Sequence, residues 1–377
     1  MALSNNSRRT ISIVVPCYNE EATLPSCIEK LLAIEDDIIQ LEIIIVDDGS
    51  NDNSLGIARQ LAVAHPQITV LHHASNHGKG AALNTGFQQA KGEIIAIQDA
   101  DLEYNPQDLR RLLNPLLTNE ADVVLGSRFL SEGTHRVLYF WHSLGNRVLT
   151  FLSNMFTDLN LSDMETCYKV CKADLIKQIH IQEKGFGIEP ELVAKLAHLR
   201  PRIYEMGISY HGRTYEEGKK IGWKDALWAL YCIFHYNAPR APVPIQFMIY
   251  LGVGGLSAVV NLLAFRISLA LGGSLTVSIL QAFYLAALLN YGLCILLLFR
   301  HKARWDPVRE ILIYVLMISM VAIFDLMITW YLITKGLAPL PAKAVATFLG
   351  LLLNFSGRRF IVFPEAASGP WRPQSKK

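Results

Sequence analysis

Four apolar stretches dominate the last third of the chain, at residues 245–264, 277–299, 311–332 and 342–362. Each is close to the ~20 residues of helix that cross a hydrocarbon layer. Core helices of soluble proteins rarely stay this apolar for this long, and four in succession point to a bilayer. In lipid the backbone must satisfy its own polar groups, so the stretches are expected to be helices. The basic residues between them set a direction. Arg300, Lys302, Arg304 and Arg309 lie between the second and third stretches, and Arg358 and Arg359 close the fourth. Residues 272–274 carry no charge, and the third connection holds only Lys335 and Lys343. The positive-inside rule predicts that the 300–309 loop and both termini are cytoplasmic.

Composition separates the rest of the chain from this part. The mean hydropathy of the 377 residues is +0.26. Up to Arg240 there are 23 basic and 29 acidic side chains, a balance of −6; from Ala241 there are 12 and 4, a balance of +8. The acidic first part argues against nucleic acid as a partner. Six cysteines are scattered without the spacing of a disulfide framework. Cys167 and Cys171 lie four apart, but no second Cys/His pair at zinc spacing accompanies them. A reduced, cytosolic head is the simpler reading. Residues 11–15 are too short for the apolar core of a signal peptide, so none is expected.

Within the first 130 residues, apolar strand-like runs at 11–15, 42–46, 68–72, 93–98 and 122–125 alternate with helical spacing at 24–34, 55–64, 80–90 and 106–117. This alternation predicts an α/β fold, a parallel sheet with helices on both faces. Polar clusters follow the strands, at the sheet edge where open α/β folds bind ligands. Residues 136–159 and 223–236 read as amphipathic helices. The second carries Trp223, Leu227, Trp228, Leu230, Tyr231 and Phe234; its place just before the apolar stretches favours a helix lying in the membrane interface over one packed only in a core. Prolines at 239, 242 and 244 mark a linker. The expected organisation is a cytosolic head at 1–222, an interfacial helix and linker at 223–244, a four-helix transmembrane domain at 245–363 and a cytosolic tail at 364–377.

Several strand ends carry chemistry. Asp99-Ala100-Asp101 ends the fourth strand and is followed by Glu103. Carboxylates two apart on an extended segment share a side, and hard oxygen ligands suit Mg²⁺ or Mn²⁺ bound with a diphosphate. Asp47-Asp48-Gly49-Ser50 ends the second strand. It reads either as a turn or as a carboxylate for a nucleobase or ribose. Pro16-Cys17-Tyr18-Asn19-Glu20 ends the first strand and suits a base in the same way. His77-Gly78-Lys79-Gly80 enters a helix, where the glycines allow close backbone approach and Lys79 suits a phosphate. The full P-loop pattern is missing, which disfavours an NTPase.

These motifs, together with Gly126-Ser127-Arg128, occur in the order seen in family-2 glycosyltransferases of the GT-A fold, which the chain resembles. Asp163-Met-Glu-Thr-Cys-Tyr-Lys169, Gly187-Ile-Glu-Pro-Glu191 and Arg213-Thr-Tyr-Glu-Glu-Gly-Lys-Lys-Ile221 narrow the resemblance to the dolichol-phosphate mannose synthase branch, which glycosylates polyprenyl phosphates. Asn354-Phe355 and Arg359-Phe-Ile-Val-Phe363 resemble the GtrA-like four-helix membrane domain. The resemblance implies that Pro16, Tyr18 and Glu20 contact the base, with Asp47 or Asp48 at the base or ribose. It implies that Asp99, Asp101 and Glu103 hold the metal and the donor diphosphate. Arg128, Arg213 and Lys219 would clasp the phosphates of donor and lipid, with Arg136 and Arg147 both candidates for a further basic residue at the lipid phosphate.

The implied reaction is inverting transfer of a hexose to a polyprenyl (dolichyl or undecaprenyl) phosphate at the cytosolic membrane face, with Asp101, Arg128 and Arg213 at its centre. GDP-mannose is the first expectation for the donor, ahead of UDP-glucose or a UDP-N-acetylhexosamine. A homo-oligomer stays open. A processive polysaccharide synthase is disfavoured, since no Gln-x-x-Arg-Trp-like motif is present. A flippase role for the membrane domain is the alternative of another class. One pairing inside the spans is also expected: Asp325 with Arg266, against Arg266 reaching the interface alone.

Overall fold

The computed structural model describes residues 8–130, 137, 139–212, 222–299 and 307–362, apart from some side chains of the last three helices. The chain divides into two compact units, the first ending at Asn237 and the second beginning at Ala238.

The first unit is built on a seven-stranded sheet. Its strands are β1 (Arg9–Cys17), β2 (Ile39–Asp47), β3 (Ile68–His72), β4 (Ile94–Ile97), β5 (Val123–Ser127), β6 (Lys169–Lys172) and β7 (Ile203–Gly207). They lie in the order β3-β2-β1-β4-β6-β5-β7. β1 is central because it is apolar on both faces, and Ile11, Ile13, Val14 and Val15 are fully buried. It pairs in parallel with β2 on one side and β4 on the other. The strand order therefore reverses between β1 and β4, which opens a crevice at their carboxyl ends. Helices α1 (Leu24–Leu32), α2 (Ser54–Ala64), α3 (Lys79–Gln89), α4 (Gln107–Leu117), α5 (Phe140–Thr157), α6 (Ala173–Gln178), α7 (Ile188–Leu199) and α8 (Trp223–Asn237) accompany the sheet.

The five strands and four helices expected up to residue 125 are present. The parallel sheet expected from them is completed by a strand that was not expected: β6 runs antiparallel between β4 and β5. β6 is a four-residue strand that begins and ends in lysine, with no turn signal or alternation to announce it. Its insertion brings Lys169, and the acidic run before it, to the crevice edge of β4.

The expected amphipathic helix near 223–236 is α8. One face is buried through Cys232, Ile233 and Tyr236, while Trp223, Leu227, Trp228, Leu230 and Tyr231 are exposed. α5 packs beside it and exposes Phe140, Trp141, Leu144, Val148 and Phe151. The head thus carries two neighbouring helices whose outer faces are aromatic and aliphatic.

The second unit holds α9 (Val243–Ala270), α10 (Leu275–Leu293) running into a π-helical turn Cys294–Phe299, α11 (Pro307–Thr334), and α12 (Pro339–Gly357) running into a π-helical turn Arg358–Val362. Among the described residues α9 meets the length and composition of a bilayer-crossing helix, and shorter apolar runs cover Tyr284–Leu298 and Leu312–Val321. Tyr250, Val253, Cys294, Leu298, Met317, Phe355 and Val362 form its core. Outer positions such as Leu262, Leu288, Met320 and Phe348 are exposed apolar side chains, as a lipid-facing surface requires. Arg358 is buried in this unit. Its guanidinium donates to Asn290, to Asn354 Oδ1 at 3.2 Å and to the Tyr314 hydroxyl at 2.9 Å. These three partners are neutral. Arg266 is exposed, and the Asp325 side chain expected to pair with it lies outside the described residues.

Candidate active site

The loops after β1 and β2 are laced together. Asn19 takes a left-handed φ of 55°, its side-chain oxygen accepts from the Asn51 N–H at 2.8 Å, and its own N–H donates to Ser50 Oγ at 3.0 Å. The Glu20 N–H donates to Ser54 Oγ at 2.9 Å, and the Glu20 carboxylate accepts from Thr23 Oγ1 at 2.8 Å. The Asn51 amide lies 3.5 Å from the Tyr18 hydroxyl. Pro16 pairs in register with Val46, and Cys17 with Asp47, so both candidate base-binding loops share one stretch of sheet edge.

The two aspartates after β2 part company. Asp48 is buried and fully engaged: it accepts from the His77 and Gly78 N–H groups at 3.0 and 2.7 Å and contacts His73 Nδ1 at 2.7 Å. It shapes the turn into α3. Asp47 is also buried. Its Oδ2 meets His72 Nδ1 at 2.9 Å and the Ser50 N–H at 3.3 Å. Its Oδ1 has no hydrogen-bond partner among the described residues. A buried carboxylate oxygen without a donor is costly, and this separates Asp47 from the fully engaged Asp48.

The turn Asp48 holds delivers Lys79. Gly78 has a φ of 97°, and a Cβ there would lie 2.5 Å from Lys184 O; a Cβ on Gly80 would lie 2.2 Å from Glu183 O. Only glycine allows this approach. Lys79 Nζ then lies 3.0 Å from Asp99 Oδ2 and 3.1 Å from Glu189 Oε1. Glu189, in the first turn of α7, also contacts Lys169 on β6, whose ammonium donates to Thr166 O as well. Burial pulls the Lys79 ammonium down, but Asp99 and Glu189 hold it well above the ordinary lysine range, so it stays charged.

Ala100 is buried. Asp101 Oδ1 accepts from the Glu103 N–H at 3.0 Å, and Glu103 Oε2 accepts from the Tyr210 hydroxyl at 2.9 Å. Among the described residues no three His, Cys, Asp or Glu side chains are gathered as a metal cage. Asp99 and Asp101 offer hard oxygen donors, a set that fits Mg²⁺ or Mn²⁺ if diphosphate oxygens and water complete the coordination.

Arg128, at the end of β5, is clamped by Asp163. Nε and Nη2 each lie 2.7 Å from one carboxylate oxygen, and the Arg128 N–H donates to the same group at 3.0 Å. The guanidinium lies 5.3 Å from the Tyr210 ring centroid. It is therefore a compensated cation rather than a bare one. Arg147 is exposed on α5. Arg136, Arg213 and Lys219 lie outside the described residues.

Asp163, Glu165, Lys169, Glu189 and Tyr210 took no role from the sequence alone. Burial and the charge of Glu189, partly offset by Lys169 and Arg128, push the Glu165 carboxyl up to about 7. The available signal was three charged residues within Asp163–Lys169, and Glu189 and Glu191 in the first turn of α7.

Residues 12–179 match the family described as Glycosyl transferase family 2, and residues 249–363 match the GtrA/DPMS transmembrane domain. Undecaprenyl-phosphate mannosyltransferase of Micrococcus luteus is 31% identical over 222 residues, covering 55% of this chain and 86% of that protein. Dodecaprenyl-phosphate galacturonate synthase of Rhizobium johnstonii is 28% identical over 211 residues, covering 55% and 61%. Dolichol-phosphate mannosyltransferase of Pyrococcus furiosus is 22% identical over 360 residues, covering 93% and 97%.

Proposed function

The chain belongs to glycosyltransferase family 2 and carries a GtrA/DPMS transmembrane domain, and on that premise we propose that it transfers a hexose from a nucleotide sugar to a polyprenyl phosphate at the membrane surface. The observation that carries this reading is the placement of Asp47, with its unpartnered buried oxygen, at the carboxyl end of β2 and of Asp99, with Lys79 3.0 Å away, just after β4, on the sheet edge where the strand order reverses.

In this reading the nucleoside lies against the 16–20 and 47–50 loops, and Asp47 Oδ1 accepts from its base or ribose. Tyr18 and Glu20 frame the same pocket. Asp99 and Asp101, with Glu103 beside them, hold Mg²⁺ or Mn²⁺, which when bound stabilises the departing nucleoside diphosphate. The acceptor needs no general base, because a phosphate monoester with a second pKa of ~6 is largely a dianion at neutral pH. Its oxygen attacks the anomeric carbon as the bond to the diphosphate breaks, and inversion follows from a single displacement. Arg128 orients the anionic partners with its charge already shared by Asp163, so full neutralisation calls for further cations. Arg213, Lys219 and Arg147 are the proposed sources.

Mannose from GDP-mannose remains the first proposal, in keeping with the names of two relatives. A galacturonate synthase among the relatives supports keeping sugars other than mannose open, and UDP-glucose or a UDP-N-acetylhexosamine is the second proposal. The exposed aromatic faces of α5 and α8 suit the bilayer interface, where Trp and Tyr settle. Four membrane crossings, with head and termini in the cytoplasm, complete the proposal. The test is a donor screen on the full-length protein in vesicles, with radiolabelled GDP-mannose, UDP-glucose and UDP-N-acetylglucosamine and a polyprenyl phosphate. Label from one donor should enter the lipid phase. Transfer only to water-soluble acceptors would contradict the proposal.

A further inference from the structure

We infer that Lys79 is an internal counter-ion that holds Asp99 until a divalent cation displaces it, and that Glu189 is the positioning residue that retains Lys79 when this happens. The inference rests on the reading of Asp99 as a ligand of the metal–diphosphate complex.

The residues form an alternating row of charge. Asp99 is followed by Lys79 at 3.0 Å and Glu189 at 3.1 Å, and Glu189 in turn contacts Lys169. Exposure falls along the row: the side chains of Asp99, Lys79, Glu189 and Lys169 are 19, 15, 5 and 1% exposed. The outer end can exchange ions with the crevice, while the inner end is sealed and fixed. A dication and an ammonium on one carboxylate repel each other, and the partly buried setting strengthens that repulsion. Lys79 must then give up Asp99. Its backbone cannot follow, because Gly78 and Gly80 are pressed against the carbonyls of Lys184 and Glu183, and the Ala81 N–H is tied to Lys184 O at 3.1 Å. The ammonium can only pivot, and Glu189 already touches it. Without Glu189, Lys79 would be left with the Asp99 carboxylate and would compete with the metal for it.

The test is direct binding of Mn²⁺ to the full-length protein in detergent, with free Mn²⁺ read by electron paramagnetic resonance, without nucleotide and with GDP or UDP. Lys79→Met removes the competitor, so Mn²⁺ should bind about tenfold more tightly without nucleotide, and Glu189→Gln should bind it about tenfold more weakly. The double variant should follow Lys79→Met, since Glu189 acts only through Lys79. A merely structural role for Glu189 would lower thermal stability and leave Mn²⁺ affinity within about twofold of wild type; that result overturns the inference, as does weaker binding by Lys79→Met. If Glu189→Gln does not fold, Lys79→Met alone carries the test. Wild-type protein that binds no Mn²⁺ with any nucleotide would remove the proposed function and this inference together, whereas wild-type binding that neither variant alters removes the inference alone.

Discussion

Asp163 closes on Arg128 through two hydrogen bonds of 2.7 Å from Nε and Nη2, and both side chains are at least nine-tenths buried. Removing one member of such a pair strands the other's charge. Asp163→Ala should therefore destabilise the head by about 3–5 kcal/mol, read as a lower thermal midpoint of the full-length protein in detergent. Arg128→Met combined with Asp163→Leu should recover much of that stability without recovering transfer. Equal stability of Asp163→Ala and wild type would refute the pairing.

Asp47 offers a contrasting outcome. Its Oδ1 has no partner among the described residues, so its contribution should appear on ligand binding. Asp47→Asn keeps the shape and turns half of the group into a donor. Nucleotide affinity by calorimetry should fall by about tenfold or more, the usual cost of a lost hydrogen bond to a charged group, with a small change in thermal midpoint. Unchanged nucleotide affinity would place the nucleoside elsewhere.

The pairing of Asp47 and Asp48 shows how far the sequence could be read. Their place at the end of a strand was legible, because Glu42–Val46 is an unbroken apolar run stopped by a turn sequence. Which of the two keeps a buried oxygen without a partner was not legible. Asp48 is consumed by the His77 and Gly78 N–H groups and by His73, contacts made across some thirty residues that no local pattern encodes. The same holds for β6. Four residues that begin and end in lysine give no periodicity, so its antiparallel insertion, and the Lys169–Glu189 contact that depends on it, had to come from tertiary structure. The apolar stretches were the most legible part, since composition alone demands helix in lipid. The neutral partners of Arg358 were not.

Those partners lead to a prediction in the membrane unit. Arg358 bridges α10, α11 and α12 through Asn290, Tyr314 and Asn354. Arg358→Met and Asn290→Ala should each lower the thermal midpoint in detergent, and a double-mutant cycle should show coupling of roughly 0.5–2 kcal/mol. Strict additivity would mean that the contact contributes nothing.

Glu165 predicts a pH dependence. Its carboxyl is pushed up to about 7 in the folded head from an ordinary value of 4.5. Between those values the folded protein keeps a proton that the unfolded chain has released, so this contribution to stability is complete below about pH 4.5 and is lost as pH rises to about 7. Glu165→Gln should flatten that part of the stability profile and gain roughly 1–3 kcal/mol at pH 8. A profile identical to wild type would show that Glu165 ionises normally.

The most direct test of the central claim is transfer by Asp101→Ala. Asp101 Oδ1 accepts from the Glu103 N–H at 3.0 Å, and in the proposed reaction the carboxylate helps hold the metal and donor diphosphate. Full-length wild type and variant would be given radiolabelled nucleotide sugar, polyprenyl phosphate and Mg²⁺ or Mn²⁺, and label in the organic phase counted. The account predicts lipid-linked sugar from wild type and a loss of about a hundredfold or more in the variant, at an unchanged thermal midpoint. An Asp101→Ala protein that still made lipid-linked sugar in a metal-dependent way would contradict it.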